Sequence, residues 1–315
     1  MNKKTIMVAL GGNALSPKSD AGTIENQFKH TNNSLKSLMH FVRNDYNICI
    51  THGNGPQVGA ELMRNEIAAN QVPPLPLNVL VANTQGAMGY MIQQSLQNSL
   101  YNENSNREVV SFISQMKVDK NDSAINHPTK FIGKTYTNEN AQILINKHKW
   151  KMKEQEPEIW RRVVPSPIPE YIFNGKSIKH LVDFGTIVIA GGGGGIPAYN
   201  QSDGTLKGLD GVIDKDMTAA LLGRIIKAQE LFIITDVDNI YLNFKTNSEE
   251  IIYDAPAKDF ENWLNDGHFW RGSMEPKIKA ALYFLKYHGK EVVITSIKNI
   301  EKAINKKAGT RILKD

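Results

Sequence analysis

The sequence predicts an α/β fold built on an open, mainly parallel sheet, with a lobe inserted into it. Three observations carry that expectation. Thr5 to Leu10 (TIMVAL), Thr186 to Ala190 and Leu231 to Thr235 are continuous apolar or β-branched runs, the pattern of strands buried on both faces. Three strand-like runs end in glycine-rich turns, at Gly11-Gly12-Asn13, Gly53-Asn54-Gly55 and Gly191 to Gly195. Between about Lys117 and Glu170 the composition shifts to Lys, Asn, Glu and Pro with few apolar runs, which marks an insertion rather than part of the main core.

Taken in order, the first strand is followed by Phe28, Leu35, Leu38, Met39 and Val42 at helical spacing. Asn47 to Thr51 returns to strand character, so the order is β-α-β. That strand runs into His52-Gly53-Asn54-Gly55-Pro56, and Pro56 suits the first turn of a helix continuing through Val58 to Ala69. Asn78 to Asn102 reads as one long helix whose small residues at 86, 87 and 89 let another backbone approach. Glu108 to Ile113 is strand-like. After the insertion come the strand Thr186 to Ala190, the glycine run, and a helical pattern beginning at Asp214-Lys215-Asp216. Leu231 to Thr235 is a further strand, with Tyr241 to Phe244 beyond it. Ile278, Ala281, Leu282 and Leu285 form one apolar helix face, Val292 to Thr295 a last central strand, and Thr310 to Leu313 a short final one.

Length and composition bound the class of protein. The chain has 315 residues, 41% hydrophobic and 22% charged, as in a soluble globular protein of about two domains. No apolar run approaches a membrane span, and the one after Lys3 and Lys4 stops at Gly11, too short for a secretion signal. The single cysteine, Cys49, reads as a small core residue in a reducing cytoplasm. The net charge of +5 is spread along the chain, which suits anionic small molecules and does not argue for nucleic acid.

The glycine run followed by Lys215 between two carboxylates suggests a cradle for a phosphoryl group. Neither standard nucleotide motif explains it. Gly193, Gly195 and Ala198 fit G-x-G-x-x-A, but Pro197 and the turn-forming residues 200–204 spoil the helix that motif needs. No G-x-x-x-x-G-K-[ST] occurs; Asn174-Gly175-Lys176-Ser177 has Glu170 where the first glycine belongs. His52 stands at a strand end, where a hydrogen-bonded spacer is the commoner role than a general base, and no His/Cys cluster points to a transition metal. Phosphoryl transfer mainly needs positioning and charge neutralisation. Backbone amides at Gly11 to Asn13 and Gly53 to Gly55 are candidates to clamp the moving group. Lys215 and Lys277 are candidates to supply positive charge, with Asp216 holding both. Mg²⁺ is expected with the nucleotide, held mostly by phosphates and water, so no protein metal cage is expected.

Long blocks then resemble one family nearly end to end. These are ALGGNAL (Ala9 to Leu15), THGNGPQVG (Thr51 to Gly59), TQGAMGY (Thr84 to Tyr90), PTKFIGKTY (Pro128 to Tyr136), WRRVVPSPIP (Trp160 to Pro169), GGGGIPA (Gly192 to Ala198), VIDKDMTAALL (Val212 to Leu222), TDVDNIYLNF (Thr235 to Phe244) and GSMEPKIKAA (Gly272 to Ala281). They resemble carbamate kinases of the amino-acid-kinase superfamily.

The resemblance implies a three-layer αβα sandwich, an open and mostly parallel sheet between helices, with residues 1–226 as a carbamoyl phosphate lobe carrying the protruding insertion at about 117–170, and 227–315 as a nucleotide lobe. It implies a cytoplasmic homodimer that transfers a phosphoryl group reversibly between carbamoyl phosphate and ADP with Mg²⁺, in the ATP-forming direction of arginine (deiminase pathway) catabolism. It places Gly11, Gly12, Asn13, Gly53 and Asn54 at the transferring group, Lys130 over carbamoyl phosphate, and Lys215, Asp216 and Lys277 in the charge-stabilising set. Asp236, Tyr241 and Met274 would line the nucleotide pocket with Lys277.

Two positions depart from the family pattern. Glu275 stands where glycine is usual, putting a negative charge near the expected phosphates that either lowers nucleotide affinity or simply points to solvent, and Gly191 replaces a serine, a change expected only to loosen the turn. Two other readings compete. One is a sister kinase acting on an amino-acid carboxylate or a nucleoside monophosphate; the Pro128-Thr129-Lys130 lobe and the lack of a lysine in Ala9-Leu10-Gly11-Gly12 argue against it. The other is a catalytically silent ligand-binding protein, which only Glu275 invites.

Overall fold

A computed structural model describes residues 3–16, 22–270 and 272–315. Its main sheet contains β1 (Thr5–Leu10), β2 (Asn47–His52), β3 (Val109–Ser111), β4 (Ile187–Ile189), β5 (Glu230–Thr235), β6 (Asp254–Pro256), β7 (Glu291–Ser296) and β8 (Thr310–Leu313). The order across the sheet is β6-β8-β7-β5-β1-β2-β4-β3. Every neighbouring pair is parallel except β7 with β8.

Both faces of this sheet are covered, which is why its central strands carry unbroken apolar runs such as Ile6 to Leu10, Ile48 to Ile50, Leu231 to Ile234 and Val292 to Ile294. Ile6, Val8 and Leu10 share one core with Ile48, Ile50, Phe232 and Ile234, while Met7 and Ala9 share another with Cys49, Leu231 and Ile233. The period of two along each strand therefore feeds two helix layers. One layer contains α2 (Ile24–Lys36) and α4 (Leu77–Asn102), which contribute Leu35, Met88, Ile92 and Leu96. The other contains α5 (Gly175–Phe184), α6 (Lys215–Ile225) and α7 (Glu275–Leu285), through Ile178, Val182, Leu222, Ile278 and Phe284. Cys49 is fully buried in that second core, and burial pushes its thiol up to about 12.

The chain passes from β1 to β2 on one side and later returns to β5 on the other. In a parallel sheet that reversal opens a crevice at the strands' carboxyl ends. The turns after β1, β2, β4 and β5 all lie at that end, and α1 (Gly12–Leu15) and α3 (Gly55–Ala68) begin there. The inserted segment leaves through strand Gln115–Val118 and returns antiparallel beside it through Pro169–Ile172. Between them, Lys130–Tyr136, Ile159–Val164 and Met152–Glu156 form a separate three-stranded antiparallel sheet.

Several expectations are corrected. The single helix expected across Phe28 to Val42 is two, Ile24–Lys36 and Met39–Arg43. Beyond β5, Ile240–Leu242 pairs with Glu250–Ile252 in a hairpin outside the main sheet. The edge strand β6 was not foreseen. Of the small residues in α4, Gly89 does admit a neighbour: a Cβ there would lie 2.1 Å from Ser111 Oγ on β3.

Most of the glycine run serves close packing, while Gly193 lines the crevice and its amide makes no backbone hydrogen bond among the described residues. All five glycines are buried. The amides of Gly194 and Gly195 bond within the run and that of Gly191 bonds Ser114 Oγ. Gly191 has φ +66°, and a Cβ there would come within 2.6 Å of Thr218 Cγ2 on α6. The expected loosening of the turn is therefore replaced by a requirement for glycine. We predict that Gly191→Ser lowers the unfolding free energy by about 1–3 kcal/mol, measured by denaturant titration. An unchanged midpoint would show that the turn has slack.

Candidate active site

At the carboxyl ends of the strands a cleft of about 390 Å³ gathers residues from separate parts of the chain. The turn after β1 brings Gly11 and Gly12, the turn after β2 brings Gly53 and Asn54, the inserted sheet brings Lys130, the start of α6 brings Asp214, Lys215 and Asp216, and the start of α7 brings Lys277. Asp236, from the turn after β5, closes the far side.

Asp216 lies at the centre. Its carboxylate is 2% exposed and contacts the ammonium groups of both Lys215 and Lys277, the latter at 3.1 Å. Burial alone would raise its pKa, but the two lysines outweigh burial and hold the carboxyl well below the usual carboxylate range. Burial would lower the Lys277 ammonium, yet Asp216, with Asp214 and Asp236 farther off, keeps it above the ordinary lysine range. Asp216 and Lys277 are therefore both charged at neutral pH. Asp214 caps α6, its Oδ1 accepting from the Asp216 amide at 2.9 Å, and its Oδ2 holds Lys130 at 3.1 Å.

The amide assignments need correction. The amides of Gly11 and Gly53 already donate to Ile234 and Leu10 carbonyls, at 2.9 and 2.8 Å, as part of the sheet. Gly12, at the start of α1, and Asn54 and Gly55, at the start of α3, make no backbone hydrogen bond through their amides among the described residues. These remain for an anion. Gly11 and Gly53 matter as spacers instead: a Cβ on Gly11 would meet Ile234 O at 2.9 Å, and one on Gly53 would meet Gly12 N at 2.8 Å. Asn13 belongs to α1, and its side chain lies outside the described residues. Asn54 is buried, with Nδ2 donating to Thr84 Oγ1 at 2.9 Å.

A smaller pocket of about 120 Å³ joins the cleft through Thr235, Asp236, Ser273 and Lys277. Tyr241, Phe244, Phe269, Trp270 and Met274 give it apolar and aromatic walls. Phe244 meets Trp270 edge to face with centroids 6.0 Å apart. A flat heterocycle would fit such walls while its charged end reaches the cleft. Tyr241 and Met274 line this smaller pocket, and Asp236 lies where it meets the cleft. Sequence reasoning missed Phe244 and Trp270 as walls, Asp214 as a cleft residue, and Thr84 as the partner of Asn54. Asp214 carried a signal, a carboxylate just before an apolar helical run; the others meet only through tertiary contact.

Glu275 does not line either pocket; its carboxylate pairs with Lys279 at 2.7 Å along α7. His52 also stays out of the cleft. It is fully buried, its Nδ1 donates to the Gly53 carbonyl at 3.1 Å, and burial, with Lys215 adding to it, lowers its pKa to about 4. It is the spacer rather than a base. Among the described residues no cluster of three or more His, Cys, Asp or Glu is arranged to hold a metal. Asp214 and Asp216 are occupied by lysines. Among the described residues Asp236 is a cleft carboxylate without a lysine ion pair, and it accepts from Thr235 Oγ1 at 3.1 Å.

Comparison with known proteins adds to this geometry. The amino acid kinase family model matches residues 4–296. The chain belongs to that family. Within it the chain is 38% identical to a carbamate kinase of Pyrococcus furiosus over 98% of its own length and 99% of that protein. It is 40% identical to one of Staphylococcus haemolyticus, covering 98% and 99% of the two chains. The structure of Giardia lamblia carbamate kinase bound to AMP-PNP superposes with a TM-score of 0.92 at 37% identity, covering 99% of each chain. As a member of the amino acid kinase family with carbamate kinase relatives over its full length, the chain is an enzyme of the kinase class. No helix among the described residues is long and apolar enough to cross a membrane.

The neutral His52 carries a pH consequence. Its pKa falls on folding from 6.5 to about 4, so the unfolded chain binds the extra proton between those values. The associated stability is complete above about pH 6.5 and declines as pH falls toward 4, by on the order of 3 kcal/mol. Denaturant titrations across that range should show the decline, and His52→Asn should flatten that part of the profile. A parent profile level from pH 6.5 to 4 would contradict a buried neutral imidazole.

Proposed function

We propose that the chain catalyses reversible phosphoryl transfer between carbamoyl phosphate and ADP, giving ATP and carbamate. The observation that carries this reading is the buried Asp216 with Lys215 and Lys277 on its two oxygens, facing a cleft that continues into an aromatic slot. The full-length similarity to carbamate kinases supports the same substrate pair.

In this reading the base of ADP enters the slot of Tyr241, Phe244 and Trp270, and its phosphates run past Asp236 toward Lys277. Carbamoyl phosphate lies on the side of Asn54 and Lys130. The bond from phosphorus to the carbamate oxygen breaks as the bond to the ADP β-phosphate oxygen forms. Attacking and leaving oxygens are both anionic, so no proton has to move. That fits a cleft whose phosphoryl end is lined, among the described residues, by no histidine. What the transition state requires is compensation for charge on the transferring oxygens, and the ammonium groups of Lys215 and Lys277 and the free amides of Gly12, Asn54 and Gly55 supply it. Asp236 would hold a nucleotide-borne Mg²⁺, directly or through water, and the cation would screen the nucleotide's phosphates.

The ATP-forming direction is favoured because carbamate decomposes to ammonia and carbon dioxide, which draws the reaction forward. We extend the proposal to ATP formation in arginine (deiminase pathway) catabolism, carried out by a cytoplasmic homodimer. Within each subunit, residues 1–226 would hold carbamoyl phosphate and 227–315 the nucleotide.

Purified protein incubated with ADP and carbamoyl phosphate should form ATP, while acetylglutamate plus ATP and UMP plus ATP should give no turnover. Turnover only in either of the latter mixtures would overturn the assignment. Lys130→Ala should raise the KM for carbamoyl phosphate more than that for ADP; equal losses would contradict its place on the carbamoyl phosphate side.

A further inference from the structure

Lys130 is the cation that must come from farthest away, on a sheet separate from the main one, and its ammonium is only partly shielded. A lysine stem so placed has many rotamers, and holding it in the cleft needs a partner. Besides the apolar packing of Ile132 and Val164 with Val58 and Leu62, polar contacts tie its sheet to the body of the protein without reaching the cleft. Lys134 pairs with Glu66 at 3.2 Å, Tyr136 donates to Glu66 at 2.6 Å, and Arg162 pairs with Asp210 at 3.2 Å. They place the sheet but leave the Lys130 head group unspecified.

Asp214 supplies what is missing. Its Oδ2 lies 3.1 Å from Lys130 Nζ, and its Oδ1 accepts from the Asp216 amide at 2.9 Å. One carboxylate therefore fixes the lysine of the inserted sheet relative to the helix start that presents Lys215 and Asp216. We propose that Asp214 is a positioning residue, which holds the Lys130 ammonium ready in the cleft for the carbamoyl phosphate anion and keeps it in register with the Lys215–Asp216–Lys277 group. The proposal rests on the carbamate kinase reading above and adds a residue to it. Asp214 does not touch the reacting atoms; it acts through Lys130.

The test is a double-mutant cycle of Asp214→Asn and Lys130→Ala, read as KM for each substrate in the ATP-forming assay and as melting temperature. Asparagine keeps an oxygen for the Asp216 amide and removes the charge that holds the lysine. Asp214→Asn should raise the KM for carbamoyl phosphate about two- to fivefold, the range of a half-exposed ion pair, with the KM for ADP and the melting temperature near the parent's. In the Lys130→Ala background the same change should add nothing. Asp214→Ser, which also keeps a cap, should behave as Asp214→Asn, whereas Asp214→Ala should in addition lower the melting temperature.

Effects of the two substitutions that multiply would overturn the proposal. So would a carbamoyl phosphate KM that stays level or falls, or parallel rises for both substrates. A parent that forms no ATP sinks the functional reading itself, whereas an active parent with multiplying effects sinks only the role of Asp214.

Discussion

One buried carboxylate holding two ammonium groups from different helices is the constraint on which the site depends. Asp216 has almost no contact with water, and Lys215 and Lys277 are themselves largely shielded, at 15% and 17% side-chain exposure. Two ammonium groups would repel each other at this spacing, and a buried carboxylate without partners would take up a proton. Together they satisfy each other while leaving a net positive charge turned toward the cleft. That surplus is what a transferring phosphoryl group needs. The group is built before any substrate arrives, so little reorganisation is required when charge develops.

The fold makes this meeting possible by bringing chain segments to one end of a single sheet. β1 and β5 are neighbours whose loops part at the point where the strand order reverses. Gly11 and Gly53 let the turns after β1 and β2 close on their neighbours, so that α1 and α3 start with free amides facing the same hollow. Helices α6 and α7 pack together on the second core, and their starts carry the two lysines to either side of Asp216. The inserted sheet then brings Lys130 across the cleft to Asp214.

Much of this was legible in the sequence where one physical cause dominated. Strands buried on both faces announced themselves as unbroken apolar runs, and TIMVAL is β1 to the residue. Carboxylates and lysines at the starts of periodic segments marked Asp216, Lys215 and Lys277. Features set by distant packing were hidden. Gly11 and Gly53 were expected to offer amides, but sheet pairing uses those amides and leaves the next ones. The five-glycine run looked like an anion cradle, yet only Gly193 lines the cleft, and the run's flexibility also serves close contact with Thr218, His52, Asn54 and Ile213. Phe244 and Trp270 lie far apart in the chain, and no local pattern shows that they share one wall. Glu275 looked like a charge among phosphates until Lys279, one helical turn on, took it away from the cleft.

The central claim, that the two lysines held by Asp216 act on one travelling phosphoryl group, is tested most directly by a crystal structure of this chain with ADP, Mg²⁺ and aluminium fluoride as a mimic of that group. The account predicts the fluoride species within hydrogen-bond reach of both Lys215 Nζ and Lys277 Nζ, near the Gly12 amide, with Asp216 still between the lysines. A mimic bound away from either lysine, or an Asp216 that leaves them to contact it, would contradict the account.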